Sequence, residues 1–215
     1  MMNRLIGVYG ASGFGREVMP IVKQQIGSDV MLVFIDDGVQ ERELNGYSVL
    51  TFEQFIQDKS DSKEVIIAIA DSKIREKLTE KLYLNGINQL NIVAPNSMML
   101  DANQIGEGAI LCPFTMITSN SKIGKSFHAN IYSYVAHDCV IGDYVTFAPN
   151  VMCNGNVHIH DHVYIGTGAM IKQGTPGKPL VIGEGAVIGM GSVVTKSVKA
   201  GDVVFGVPAK SIKRG

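Results

Sequence analysis

Residues 135–147 read Val135-Ala136-His137-Asp138-Cys139-Val140-Ile141-Gly142-Asp143-Tyr144-Val145-Thr146-Phe147. An apolar residue leads every sixth position: Val135, Ile141, Phe147. Four places after the first two leads stand Cys139 and Val145, small or β-branched. The frame extends both ways. It runs back through Ala129, Ile123, Ile117, Leu111, Ile105 and Met99 to Val93, and forward through Cys153, Ile159, Ile165 and Ile171. All fourteen leads are apolar, and twelve of the fourteen residues four places on are small or β-branched, Asn103 and Phe127 being the exceptions.

A β-sandwich does not hold such a phase, because its strands alternate with period two between turns of variable length. Period six with a turn in every unit predicts a coil of very short strands. Three units close one triangular turn of about 18 residues, and stacked turns bury the leads in a column. The frame breaks at Lys172-Gln173-Gly174-Thr175-Pro176-Gly177-Lys178-Pro179, a Gly- and Pro-rich run that predicts an extruded loop. It resumes out of phase at Ile182, Ile188, Val194 and Ala200.

Composition agrees with a Gly-punctuated β region. Of 24 Gly in 215 residues, 16 fall in 93–215 and 8 in 1–92. Hydrophobic content of 46% with 18% charged residues excludes disorder. A net charge of −1 leaves no basic footprint for nucleic acid. No apolar stretch approaches the ~20 residues of a membrane span. Three scattered Cys without a CxxC pair fit a reducing compartment. The strand-like run Leu5–Tyr9 begins almost at once, without a signal-peptide pattern. These features together predict a cytoplasmic protein.

The first half reads as a small Rossmann-like βαβ unit. The strand Leu5–Tyr9 meets Gly10-Ala11-Ser12-Gly13-Phe14-Gly15, and a helical pattern follows from Arg16, with Pro20 near its first turn. Backbone N–H groups at such a helix start favour a phosphate. The next strand, Val30–Ile35, ends in Asp36-Asp37, at the distance where an acid often meets a ribose hydroxyl. A third strand over Glu64–Ala70, a helix over 72–85 and a short strand near Leu90–Val93 complete the unit. The spacing is GxxGxG and the unit is short, so it predicts one nucleotide, not a dinucleotide. A boundary between residues 92 and 93 separates the two domains.

The repeat resembles the hexapeptide-repeat acyltransferases, built on a left-handed parallel β-helix. With the βαβ unit ahead of it, the chain is similar, nearly end to end, to the acetyltransferases of nucleotide-linked amino sugars in bacterial glycan synthesis. That group includes the bacillosamine-pathway enzymes and relatives acting on dTDP- or GDP-linked 4-amino-4,6-dideoxy sugars, and the sialic-acid O-acetyltransferases have the same two-domain plan. The shared marks are residues 10–15, Asp36-Asp37, Ala68-Ile69-Ala70, His137-Asp138 and the end Gly206–Lys210. The resemblance implies a homotrimer with active sites in grooves between neighbouring β-helices. It implies acetyl-CoA as co-substrate and no metal. The expected reaction is N-acetylation of a nucleotide-linked 4-amino-4,6-dideoxy sugar. O-acetylation of a sialic acid, and a non-catalytic partner protein, are the alternatives.

Acetyl transfer to an amine needs a neutral nucleophile, so a base must take its proton. Imidazole suits that task near neutral pH. The resemblance assigns the base to His137 and its orientation to Asp138. It assigns the coenzyme to Thr146, Thr167 and Met190, and the nucleotide sugar to Ser12, Gly13, Phe14, Asp36, Asp37, Ala70 and Asn130. The family often has His where Thr146 and Phe14 stand. His128 is expected at a turn. His158, His160 and His162 alternate and are expected on one outward strand face, short of a closed metal set. Cys139 and Cys153 fall at inward positions, which favours direct transfer over an acyl-enzyme.

Overall fold

A computed structural model describes residues 3–27 and 29–212. The chain divides into two compact units, 1–95 and 96–215.

In the first unit the order is β1 (Arg4–Tyr9), α1 (Gly13–Ile26), β2 (Met31–Ile35), β3 (Glu43–Leu44), β4 (Tyr47–Leu50), α2 (Phe52–Gln57), β5 (Ser62–Ile67), α3 (Ser72–Leu84) and β6 (Asn88–Gln89). The sheet runs β3-β4-β2-β1-β5-β6, parallel except for the β3–β4 hairpin. β1 carries buried residues on both faces (Leu5, Ile6, Val8), as a central parallel strand must. Phe52, Phe55 and Leu82 pack with Leu5, Val33, Ile35, Val65 and Ile67 on one side. α1 buries Val18, Met19, Ile21 and Val22.

Several bounds differ from expectation. α1 begins at Gly13, three residues before Arg16, and Pro20 lies inside it. The third strand ends at Ile67, so Ala68–Ala70 form a loop. The expected last strand divides into β6 and a separate pair, Ile92–Val93. The hairpin and α2 are additional. The hairpin turns at Asn45-Gly46, both with positive φ, the turn such a pair favours. Thr51 opens α2 with a capping box to Gln54.

The second unit is the coil. One sheet stacks Ile110–Leu111, His128–Ala129, Thr146–Phe147, Tyr164–Ile165, Val187–Ile188 and Val203–Phe205, with Lys210–Ser211 antiparallel at its end. A second stacks Met98–Met99, Met116–Ile117, Tyr134–Val135, Met152–Cys153, Met170–Ile171 and Val193–Val194. A third stacks Gln104–Ile105, Lys122–Ile123, Val140–Ile141, Val157–Ile159 and Leu180–Ile182. Register advances by one full coil per strand: Met116 pairs with Tyr134, and Tyr134 with Met152. Leads from Leu111 to Ile171 are all buried, while Met99 is exposed and Ile105 half-buried at the open end.

The corners show how the coil turns. Residues 102, 114, 120, 126, 132, 138, 144, 150, 156 and 162 all have φ between 51° and 62°, with Gly108 and Gly168 completing the series. The left-handed residue is therefore the third after each lead from Met99 to Ile165. From Asn120 on, its N–H is bonded coil to coil: Asp138 donates to the Ser119 carbonyl and Asn156 to the His137 carbonyl, each at 3.0 Å. Left-handed backbone costs roughly 1–3 kcal/mol per non-Gly residue, and these bonds help offset it.

The 172–179 run is an exposed loop closed by Thr175 and Lys178. Beyond it the leads Ile182, Ile188 and Val194 are buried, but Ala200 is exposed. The last coil is narrower: Ile182 bridges to Val198 and Ile188 pairs with Val204, so these two take the inward positions. No helix among the described residues is long and apolar enough to cross a membrane.

Candidate active site

His137 lies on the corner between the strands Tyr134–Val135 and Val140–Ile141, two residues after a lead. There its side chain points out and is 60% exposed. Asp138 is the left-handed residue of that corner (φ 59°). This conformation brings its Oδ2 to 2.7 Å from His137 Nδ1. A carboxylate can only accept, so in the neutral ring Nδ1 carries the hydrogen and Nε2 is left with the lone pair that can take a substrate proton.

Sequence reasoning missed a third member, Gly155. It is buried one coil from His137. A Cβ on Gly155 would lie 2.6 Å from His137 Cε1 and Nε2, and 3.0 Å from Nδ1. The ring rests where that side chain would be. The signal was Gly at one coil spacing from His137, invisible to a local motif.

Behind the corner the coil is tightly bonded. Tyr134 OH donates to Asn154 Oδ1 at 3.0 Å, and Asn154 Nδ2 to the Ile171 carbonyl at 2.7 Å. Cys139 Sγ lies 3.3 Å from the Asn154 carbonyl. All three cysteines are buried. A thiol–thiol hydrogen bond with Cys139, together with complete burial, pushes the free Cys153 thiol up. None of these sulfurs is open to an acyl donor.

Thr167 (exposed) and Met190 (65% exposed) occupy successive coils at another corner, after the first sheet. Asn130 follows the strand His128–Ala129 on that same sheet, and its Oδ1 accepts from the Ile131 N–H at 2.7 Å. Within one chain these residues are not brought together with His137, which stands after the second sheet. Thr146 is buried in its strand between His128 and Tyr164.

The remaining histidines correct two expectations. His128 is buried in a strand, not at a turn. His158, His160 and His162 do not share a face: only His158 is in the strand, while His162 is a left-handed corner residue stacked on Tyr144 at 5.2 Å.

In the first unit the Gly turn follows β1, and β1 is flanked by β2 on one side and β5 on the other. Ligands of such sheets settle where strand order reverses, at the carboxyl ends. Gly10, Ser12, Gly13, Asp36 and Ala70 all cluster at those ends. Gly10 needs its φ of 110°, and Gly15 leaves no room for a Cβ against the Gly10 carbonyl. Ser12 opens α1 without a side-chain cap, and Phe14 is half-buried. Asp36 accepts from the N–H groups of Ala11 and Gly38, each at 3.0 Å, so it shapes the turn itself. Asp37 is more fully engaged. Its oxygens accept from Phe52 N–H at 2.8 Å and Tyr9 OH at 2.7 Å, with Lys81 Nζ at 3.4 Å. Burial alone pushes the Asp37 carboxyl up, but these donors outweigh it and hold it below the ordinary value. Burial and the bond to Asp37 raise the Tyr9 phenol.

A coil of hexapeptide repeats with a paired, outward His is the architecture of an acyltransferase. Residues 5–82 match the family model described as the PglD N-terminal domain, and 120–155 match the bacterial transferase hexapeptide repeat. The chain is 53% identical over 214 residues to GDP-perosamine N-acetyltransferase of Escherichia coli O157:H7, covering 98% of this chain and 97% of that protein. The solved structure of WeeI from Acinetobacter baumannii AYE superposes with a TM-score of 0.96 at 61% identity, covering 98% of this chain and all (100%) of that one. The acetyltransferase domain of PglB from Neisseria gonorrhoeae FA1090, solved with acetyl coenzyme A, gives 0.87 at 25% identity, with 98% and 100% covered. The chain belongs to the family of nucleotide-sugar N-acetyltransferases that join a PglD N-terminal domain to a left-handed β-helix of hexapeptide repeats.

Proposed function

We propose that this acetyltransferase moves the acetyl group of acetyl-CoA onto the 4-amino group of GDP-perosamine, a GDP-linked sugar of the 4-amino-4,6-dideoxy class. The observation that carries this is end-to-end 53% identity to the E. coli enzyme of that name, together with the intact His137–Asp138 pair. His137 Nε2 takes a proton from the amine as its nitrogen attacks the thioester carbonyl. The C–N bond forms, the C–S bond breaks, and the coenzyme leaves as a thiolate that is then protonated. Asp138 holds the ring in its tautomer and steadies the imidazolium. No cysteine needs to carry the acyl group.

The nucleotide sits on the first unit, with its phosphates at the N–H groups of Ser12, Gly13 and Phe14. Asp36 and Ala70 border it, while Asp37 acts by anchoring β1 to α2. Asn130 contacts the sugar. Thr167 and Met190 line the coenzyme, and Thr146 stands between His128 and Tyr164 on the sheet that leads into that corner. The coenzyme corner and the His137 corner are different corners of one coil. A homotrimer, which sets corners of neighbouring coils against each other, completes the site. An outward column on the second sheet supports it. Met98, Met116, Tyr134, Met152, Met170 and Val193 stand in register, with Met98 52% and Met170 42% exposed. The reaction belongs in the cytoplasm, where acetyl-CoA and nucleotide sugars are made, and its product serves a glycosyltransferase of a bacterial glycan.

Thiol release from acetyl-CoA, measured against GDP-, UDP- and dTDP-linked 4-amino sugars, tests this. The expected result is a kcat/KM for GDP-perosamine at least about tenfold above the others. Release with none of them, or acetylation of a sugar hydroxyl instead, overturns it.

A further inference from the structure

Arg75 is in α3 and is wholly buried. A buried cation is costly unless its donors find acceptors. Its Nη1 donates to two successive carbonyls, Ile69 at 3.0 Å and Ala70 at 2.8 Å. Both belong to the loop between β5 and α3, at the carboxyl edge where strand order reverses. A trans peptide unit points its carbonyl and its N–H in opposite directions. Drawing the Ile69 carbonyl inward therefore turns the Ala70 N–H outward, and drawing the Ala70 carbonyl inward does the same for Asp71. Neither N–H has an acceptor among the described residues, and both residues are exposed.

The loop that carries the two donors starts beside the Gly turn: a Cβ on Gly10 would lie 2.9 Å from the Ala68 carbonyl oxygen. A phosphate suits them poorly. The Asp71 carboxylate, which caps α3 through Lys73 and Ile74 N–H at 2.9 and 3.0 Å, places a negative charge next to them. A neutral edge with two adjacent acceptors suits them better. Guanine presents O6 and N7 in that way.

We propose that Arg75 is a positioning residue for the substrate: it aims the Ala70 and Asp71 N–H groups at the acceptor edge of the nucleobase. This rests on the reading of the first unit as the nucleotide site. Arg75→Met releases both carbonyls. The expected result is a rise of about tenfold in KM for GDP-perosamine, some 1.4 kcal/mol of binding. The Ki of free GDP as a competitive inhibitor rises equally, while kcat and the KM for acetyl-CoA stay within about twofold. Arg75→Lys keeps the charge and a donor, and its KM should fall between the two; it also carries the test if the Met variant does not fold. Unchanged KM and Ki in a folded variant overturn the proposal. Ala70→Trp, an exposed position, separates the two layers of argument. If it raises KM and the Arg75 variants do not, Arg75 has no such role but the nucleotide site stands. If none of them changes KM, the nucleotide does not bind at this loop and both readings fall.

Discussion

Gly155→Ala tests the chemistry of the corner with one methyl group. The added carbon would lie 2.6 Å from Cε1 and Nε2 of His137. Ordinary carbon contacts are about 3.5–4.0 Å, so the ring must move by about 1 Å. That motion carries Nδ1 off Asp138, to which it is now held at 2.7 Å. Misplacing a reacting group by about 1 Å costs on the order of 100-fold in rate. Stability should barely change. Gly155 is not in the left-handed region, so Ala is conformationally permitted and gains roughly 0.4–1 kcal/mol from a stiffer unfolded chain. Swinging an exposed imidazole off its rotamer costs about 0.5–1.5 kcal/mol, which nearly cancels that. The assay is thiol release at saturating substrates, alongside thermal unfolding. The expected pair of results is a kcat down about 100-fold with an unchanged Tm. Because the effect runs through His137, the same change in a His137→Ala background should add nothing. A Gly155→Ala enzyme with near-normal kcat, or one that loses further activity without His137, would refute the reasoning.

Other outcomes follow from the same geometry. His137→Ala should lower kcat by about 10²- to 10⁴-fold with an unaltered circular dichroism spectrum; residual turnover near wild type would remove it as the base. Asp138→Asn is a clean companion, since Asn tolerates the φ of 59° at that corner, and kcat should fall by about tenfold or more while the fold holds. Asp37→Asn should destabilise by about 1–2 kcal/mol at neutral pH, discounted for a half-exposed carboxylate. Its folded-state carboxyl lies below the ordinary 3.8, so that stabilisation is complete above the unfolded value and is lost as pH falls through the folded one. Denaturant titrations should show a constant gap between variant and parent down to about pH 4 that closes below it; an equal gap at pH 3 and pH 7 contradicts the assignment. Met116→Glu places a charge in the outward column, and sedimentation should show about 70 kDa, three times the 23.2 kDa chain, giving way to single chains. Activity should fall with assembly; full activity in a monomer would exclude a shared site.

The coil was legible because burial is periodic: one inward lead per six residues leaves a trace that no sandwich produces. Its corners were not. The left-handed position is held by Ala102, Phe114, Asn120, Tyr132 and Asp138 alike, because the geometry of the repeating corner imposes the conformation whatever the residue, and from Asn120 on a coil-to-coil bond holds it. The last coil escaped for the opposite reason. It is set by where Val198 and Val204 find partners below, not by a continuing six-residue count. In the first unit the Gly turn is plain in the sequence, but the hairpin at Asn45-Gly46 and α2 are too short to leave a periodic pattern, and only a turn pair and a capping box mark them. Asp36 and Asp37 were legible as acids at a strand end. Their engagement with Ala11, Gly38, Tyr9, Phe52 and Lys81 depends on contacts that no local spacing encodes.

The corner column that carries His137 shows where function resides in such a coil. One coil apart stand Asp101, Ser119, His137, Gly155 and Gln173, on a repeating backbone. His137 differs from its column mates by its imidazole, but that ring takes its pose from two neighbours of different kinds. Asp138, one residue on, bonds Nδ1 because a left-handed corner turns its carboxylate back. Gly155, one coil on, leaves the space the ring fills. The first is readable along the chain; the second appears only when the sequence is folded at coil spacing. An outward His followed by Asp is therefore an incomplete signature on this scaffold. Adding small residues one coil away makes it a geometric one, because a side chain there would displace the base without disturbing the repeat.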